Sequence, residues 1–260
     1  MTNHSNATIF YPLLLLSLAV FGNASGDQQP ALVNNQGNVA KSRTPVLASI
    51  DFESGSFGGV KLSGRNQLIA PNPSGQGNVF RAWVPNDSER SEIAFDRHLP
   101  GDYKWEGKTR WYAWRIYLPN DFNPSGKHTI LAQWHRWQAG MHDRFSWAKG
   151  NPNVFAIDRN TKRYHISLSF QPDPKKQSRH AREKYVGHTP ESIVYQNDLG
   201  RWIQWSALVR WSKGTDGSFI LYRNGQPVIS YDGPNYLNMP EGPYFKCGIY
   251  GRAFTRHSIF

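Results

Sequence analysis

Residues 218–231, SFILYRNGQPVISY, hold two short runs rich in aromatic and β-branched side chains on either side of Asn224-Gly225. That dipeptide between two such runs is a strong β-hairpin signal, because both residues accept the positive backbone angles a tight turn needs. The same grammar extends outward. VLASIDF, NVFRAWV, SEIAF, WYAWRIYLP, TILAQWH, YHISLSF, WIQWSALVRW and PYFKCGIY are short, aromatic or β-branched, and bounded by Gly, Pro, Asn or Asp. The chain shows neither a long amphipathic helix nor an internal repeat. Its 260 residues suit one all-β domain, a sandwich or a barrel.

Alternation within these runs separates a dry face from a polar one, since side chains two apart on a strand share a face. In YHISLSF, Tyr164, Ile166, Leu168 and Phe170 face one way and His165, Ser167 and Ser169 the other. In RSEIAF, Ile93 and Phe95 oppose Arg90, Glu92 and Ala94. In ILAQWH, Ile130, Ala132 and Trp134 alternate with Leu131, Gln133 and His135. In YFKCGIY, Phe245, Cys247 and Ile249 suit the core, which leaves Tyr244, Lys246, Gly248 and Tyr250 together. Gly248 is expected to let something approach the backbone there.

The formal net charge is +11, and such a field attracts polyanions: nucleic acid, an anionic membrane surface or an acidic polysaccharide. A merely soluble basic protein is the bland alternative. The single cysteine, Cys247, excludes an internal disulfide and a cysteine-rich metal site, and its place in an apolar strand predicts a buried thiol. HExxH, CxxC and phosphate-loop patterns are absent. No residue pattern requires a cofactor, and the sequence neither demands nor excludes a structural calcium ion.

Residues 9–22, IFYPLLLLSLAVFG, form an apolar run too short for a comfortable membrane span. NASGD follows, with small residues suited to cleavage after Ala24 or Gly26, although the residues ahead of the run include no Lys or Arg. Residues 1–26 are therefore expected to be a secretion signal, 27–44 a polar arm, and 45–260 one domain, giving a secreted or periplasmic monomer. Residues 173–189, DPKKQSRHAREKYVGHT, carry five Lys or Arg against two acids and show no strand period. They read as a long loop, with Lys175, Lys176, Arg179 and Arg182 as candidate polyanion contacts; a solvated charged loop is the alternative.

Gln133, His135, Arg90, Lys246 and Tyr250 are each weak signals alone. If their strands adjoin, they supply a base, a phenol and several donors for an anion. That set suits β-elimination at a uronic acid. Donors such as Arg, Gln or Lys stabilise charge that builds on the carboxyl group as the C5 proton leaves. A neutral His takes that proton and a Tyr hydroxyl protonates the leaving O4; a Tyr with a lowered pKa can act as the base as well. Glycoside hydrolysis needs paired carboxylates, and the nearest stretch, EIAFD, has the wrong pattern.

At these residues the sequence resembles the jelly-roll polysaccharide lyases. AQWH is similar to their Q-x-H strand, YFKCGIY to their Y-F-K-x-G-x-Y strand, and RSEI to the opening of the R-S/T-E-L/V-R strand of alginate lyases. WYAWRIYLPNDF followed by TILAQWH resembles the heparin lyase I and glucuronan lyase group more closely. The resemblance runs from about Ile50 to Tyr250 and implies a β-jelly-roll sandwich, concanavalin- or lectin-like, whose concave sheet binds an acidic polysaccharide. It implies His135 and Tyr250 as the catalytic pair, Gln133 as a neutraliser of the carboxylate, and Arg90, Lys246 and Tyr244 as substrate contacts. The fifth position of the alginate motif is Ala94, which disfavours alginate. Only ten residues follow Tyr250, where related chains continue into a closing strand, so VLASIDF is expected to lie at an unpaired edge. A lectin-like module on the same fold is the main alternative function, and alginate lyase a substrate variant. A nucleic-acid binder is disfavoured by the apparent signal and by the motifs.

Overall fold

The hairpin at 218–231 forms: Ser218–Arg223 and Gln226–Asp232 pair antiparallel, and Asn224 and Gly225 take φ of 48° and 83°. Both angles fit a two-residue turn whose twist matches paired strands. The computed structural model describes residues 14–21, 46–65, 67–84, 90–95, 106–124, 128–136, 153–170, 183–236 and 243–251. Its strands in chain order are β1 Leu14–Phe21, β2 Val46–Ile50, β3 Lys61–Gly64, β4 Gln67–Pro71, β5 Asn78–Ala82, β6 Arg90–Ala94, β7 Thr109–Leu118 and β8 His128–Arg136. They continue as β9 Asn153–Asp158, β10 Tyr164–Phe170, β11 Glu183–His188, β12 Arg201–Arg210, β13 Ser218–Arg223, β14 Gln226–Asp232 and β15 Pro243–Tyr250. One 3-10 turn, Tyr195–Asp198, is the sole helical element among the described residues.

Two antiparallel sheets form an all-β jelly-roll sandwich. One runs β14-β13-β12-β7-β1-β5-β4, with β2 paired to β1; the other runs β11-β10-β9-β8-β15-β6-β3. Between them lies an aromatic core. Trp134 of β8 meets Tyr112 at 5.5 Å and Phe219 at 5.1 Å across the gap, and Phe245 of the neighbouring β15 at 5.3 Å. Trp205 packs on Phe155 and Tyr164, both at 4.7 Å. Each ring removes a large apolar area from water, so these contacts fix which way every second side chain of β8 and β15 must face.

The described strands bear on three expectations. The apolar run expected to be a leader contributes β1, which pairs with β2, β5 and β7. β2 has β1 as its one partner among the described strands, so its other side remains a sheet edge. The arm at 27–44 and the tail 252–260 lie outside the described residues. The charged stretch 173–189 is not all loop: its end forms β11, paired with β10 along the sheet edge. There Tyr185 stacks on Tyr231 at 4.3 Å while Lys184 and Val186 face solvent, an alternation hidden by the run of charges. Lys175, Lys176, Arg179 and Arg182 lie outside the described residues.

Alternation along β8 also breaks once. Two β8 residues, Ile130 and Ala132, pair with successive residues Ala156 and Phe155 of β9, so Leu131 is one residue extra. Such a bulge switches the faces on either side of it. Leu131 is therefore in the core, not beside Gln133, and Ile130 lies opposite Tyr250.

Candidate active site

The site is built where β8, β15 and β6 run side by side. Phe245, Cys247 and Ile249 point into the core, which turns Tyr244, Lys246, Gly248 and Tyr250 to the other face, as the alternation predicts. The register then sets neighbours: Tyr244 opposite His135, Lys246 opposite Gln133 and Ala94, Gly248 opposite Glu92, and Tyr250 opposite Arg90.

At one end, the Arg90 guanidinium lies over the Tyr250 ring, 4.4 Å from its centroid. The pair is partly exposed, and a guanidinium over a ring face is held there by the ring's quadrupole. At the other end, the His135 and Tyr244 rings sit 5.3 Å apart and are also partly exposed. His135 and Tyr250, expected to act as a pair, are not adjacent. His135 stands five positions along β8 from Ile130, the residue opposite Tyr250. At ~3.3 Å per residue that separates their backbones by roughly 15 Å.

Between the two ends lies a buried polar cluster. Lys246 donates to Glu92 Oε2 at 2.7 Å and to Ser63 Oγ of β3 at 3.2 Å. Gln133 Nε2 donates to Glu92 Oε1. Arg90 Nη1 is 4.0 Å from Glu92 Oε2. Glu92, Gln133 and Lys246 are exposed by only 1%, 1% and 2%. Gln133 and Lys246 thus do not stand open to a substrate carboxylate; a carboxylate of the protein itself already occupies them. A charge this deeply buried needs such a partner, which is why Lys246 is tolerated there. Glu92 was not among the expected site residues. Its signal was a carboxylate sharing a strand face with Arg90 in RSEI. Behind the cluster, burial and then the Glu92 charge push the Cys247 thiol well above its ordinary pKa, with Lys246 acting the other way.

Gly248 has a different reason from the one expected. Its φ is +139°, and a methyl group built on it would overlap the Ser91 carbonyl oxygen and come within 2.6 Å of Glu92 Cα. What approaches is the backbone of β6. On the β8 side, β15 spends three steps from Cys247 to Tyr250 where β8 spends two, so the strand is bulged there.

Further along the same sheet, Tyr250, Ile130, Ala156, His165 and His188 are register partners in turn. The rings of His165 and His188 are 5.4 Å apart, and His188 Nε2 is 3.7 Å from Asp158 Oδ2. Among the described residues no group of three or more His, Cys, Asp or Glu is placed to hold a metal ion, and no helix is long and apolar enough to cross a membrane.

The profile of the polysaccharide lyase family matches residues 51–259, which takes in all the strands of the site. The chain belongs to the polysaccharide lyase family. Among solved structures it is similar to the endo-β-1,4-glucuronan lyase of the fungus Trichoderma reesei, with a TM-score of 0.57 and 14% identity over 76% of this chain and 82% of that one. The binding domain of botulinum neurotoxin serotype D/C aligns more loosely, with a TM-score of 0.45 and 9% identity over 77% of this chain and 41% of that one. No curated protein sequence matches. The lyase-family expectation and the jelly-roll expectation both stand.

Proposed function

We propose that this polysaccharide lyase cleaves a D-uronate polysaccharide of the glucuronan type by β-elimination, with Tyr250 and Arg90 at the reacting centre. The observation that carries the reading is the Arg90 guanidinium lying over the Tyr250 ring on the exposed end of the site. In a D-glucuronate chain the C5 proton and the C4 oxygen leave from the same side, so one residue can serve both. This route needs Tyr250 as a phenolate, whose oxygen would take the C5 proton. The C–H electron pair becomes the C4=C5 double bond, the C4–O4 bond breaks, and Tyr250 returns the proton to O4. Arg90 would stabilise the charge that accumulates on the substrate carboxylate. The wide separation of His135 from Tyr250 favours this one-residue route over a two-residue route for L-uronates.

The glucuronan type is favoured by the likeness to the Trichoderma enzyme and by the strand-face chemistry together. The basic excess supports a polyanionic substrate. A second reading has one specific observation: His135 beside Tyr244 is an imidazole–phenol pair that would suit anti elimination of an L-uronate.

The test is turnover on glucuronan and on L-uronate polymers, followed by the ultraviolet absorbance of the unsaturated product. Tyr250→Phe is expected to abolish turnover of the D-uronate chain while binding remains, and His135→Ala to leave part of it. An active Tyr250→Phe together with inactive His135→Ala and Tyr244→Phe variants would transfer the chemistry to the other end of the site. Saturated products from the wild-type protein would refute elimination altogether.

A further inference from the structure

We propose that Glu92 is the positioning residue of this site: one buried carboxylate holds Lys246, Gln133 and Arg90 in the arrangement that the elimination requires. The inference rests on the elimination reading above and deepens it. Three residues singled out for handling the substrate's negative charge converge on this one group. Oε1 takes the amide of Gln133, and Oε2 takes Lys246 and faces Arg90 at 4.0 Å.

The amide contact fixes more than position. An amide turned the other way would set its oxygen against the carboxylate, so Glu92 dictates that Gln133 directs its NH2 inward. Gln133 Oε1 is then left buried and without a hydrogen-bond partner among the described residues. Gln133 accordingly turns its acceptor, not its donors, away from Glu92. The charge balance matters equally. Glu92 cancels Lys246, so the carboxylate-binding charge of this cluster reduces to Arg90, which stands beside Tyr250. The titratable and charged groups that the register sets around Lys246 are Glu92 and Arg90 on β6, Lys61 on β3, His135 on β8, and Tyr244, Cys247 and Tyr250 on its own strand. Of these only Glu92 is an acid.

Glu92→Gln keeps the shape and removes the charge. The site then carries one more positive charge, which attracts the polyanion, while Lys246 and Arg90 lose the group that orients them. The expected result is a kcat lowered about 10²-fold, as for a small misplacement of reacting groups, with KM unchanged or lower. The double variant Glu92→Gln/Lys246→Met removes the buried pair together. It is expected to fold and to be no slower than Lys246→Met alone, which keeps the test valid if the single variant does not fold.

Wild-type turnover on glucuronan is established first, by release of the unsaturated product. Its absence would sink the elimination reading and is recorded separately from the variants. Given an active wild type, three results would each overturn the role of Glu92. They are a Glu92→Gln enzyme with unchanged kcat, a loss of kcat accompanied by a raised KM, and additive losses in the double variant.

Discussion

Replacing Gly248 by Ala tests the close approach of β6 to β15 that shapes the site. The residue has φ +139°, where an ordinary side chain is strained by about 1–3 kcal/mol. The added methyl overlaps the Ser91 carbonyl oxygen, lies 2.6 Å from Glu92 Cα and 3.0 Å from Ser91 C. All three are backbone atoms, so no rotamer change relieves the contact. The strands must part, weakening ladder bonds between Ser91–Ala94 and Lys246–Ile249, each worth about 0.5–1.5 kcal/mol net. Strain and two weakened bonds together give about 2–6 kcal/mol. At ~2–4 °C per kcal/mol for a domain of this size, Tm falls by about 4–24 °C. The control is Gly107→Ala. Gly107 also has a positive φ, +72°, but a methyl there meets nothing within 4 Å, so only the backbone cost of about 1–2 kcal/mol applies. Thermal unfolding followed by tryptophan fluorescence measures both. Gly248→Ala also shifts Lys246 and Tyr250, two positions to either side, so its kcat should drop in molecules that remain folded. If Gly248→Ala melts no lower than Gly107→Ala, the approach of β6 is not what requires the glycine.

Three further outcomes are expected. The Cys247 thiol, raised well above its ordinary pKa by burial and then by Glu92, is protonated at pH 8 and shielded. A disulfide reagent should therefore modify it only after denaturant is added, and rapid labelling of the native protein would contradict the packing. Deleting residues 1–26 removes β1 from between β5 and β7, so amides 46–50 should lose their protection from hydrogen exchange. Equal protection with and without these residues would mean that β1 does not hold the sheet together. Polyanion binding should weaken steeply with salt, and Lys175, Lys176, Arg179 and Arg182 changed together to Ser should lower affinity with the melting temperature unchanged; unaltered affinity at low salt would assign them no part in binding.

Much of the fold is legible in local pattern. YHISLSF is β10 from end to end, and the Asn224-Gly225 hairpin follows from turn chemistry alone. Strands without that pattern are harder to find: β11 lies in a run of charges whose alternation appears only when Tyr185 is seen against Tyr231. The apolar run at β1 is ambiguous in principle, because a strand between two others and the core of a leader peptide both need continuous apolar residues. No property of the run by itself distinguishes them.

The site shows the same division more sharply. Alternation correctly assigns Tyr244, Lys246, Gly248 and Tyr250 to one face of β15, because Phe245, Cys247 and Ile249 are core residues. It carries no information about which residue of β8 stands opposite which residue of β15. That register depends on one extra residue in β15 between Cys247 and Tyr250, and a bulge shifts every partner beyond it. His135 stands against Tyr244 on the near side of that bulge, and the unbroken β15–β6 register sets Tyr250 against Arg90. The same register brings Glu92 opposite Gly248, where its carboxylate reaches diagonally to both Lys246 and Gln133. A buried lysine and a buried carboxylate are each costly alone and tolerable only together. Lys246 in a strand whose other face is core therefore implied an acid within reach, and Glu92 was the acid already placed on the matching face of the next strand.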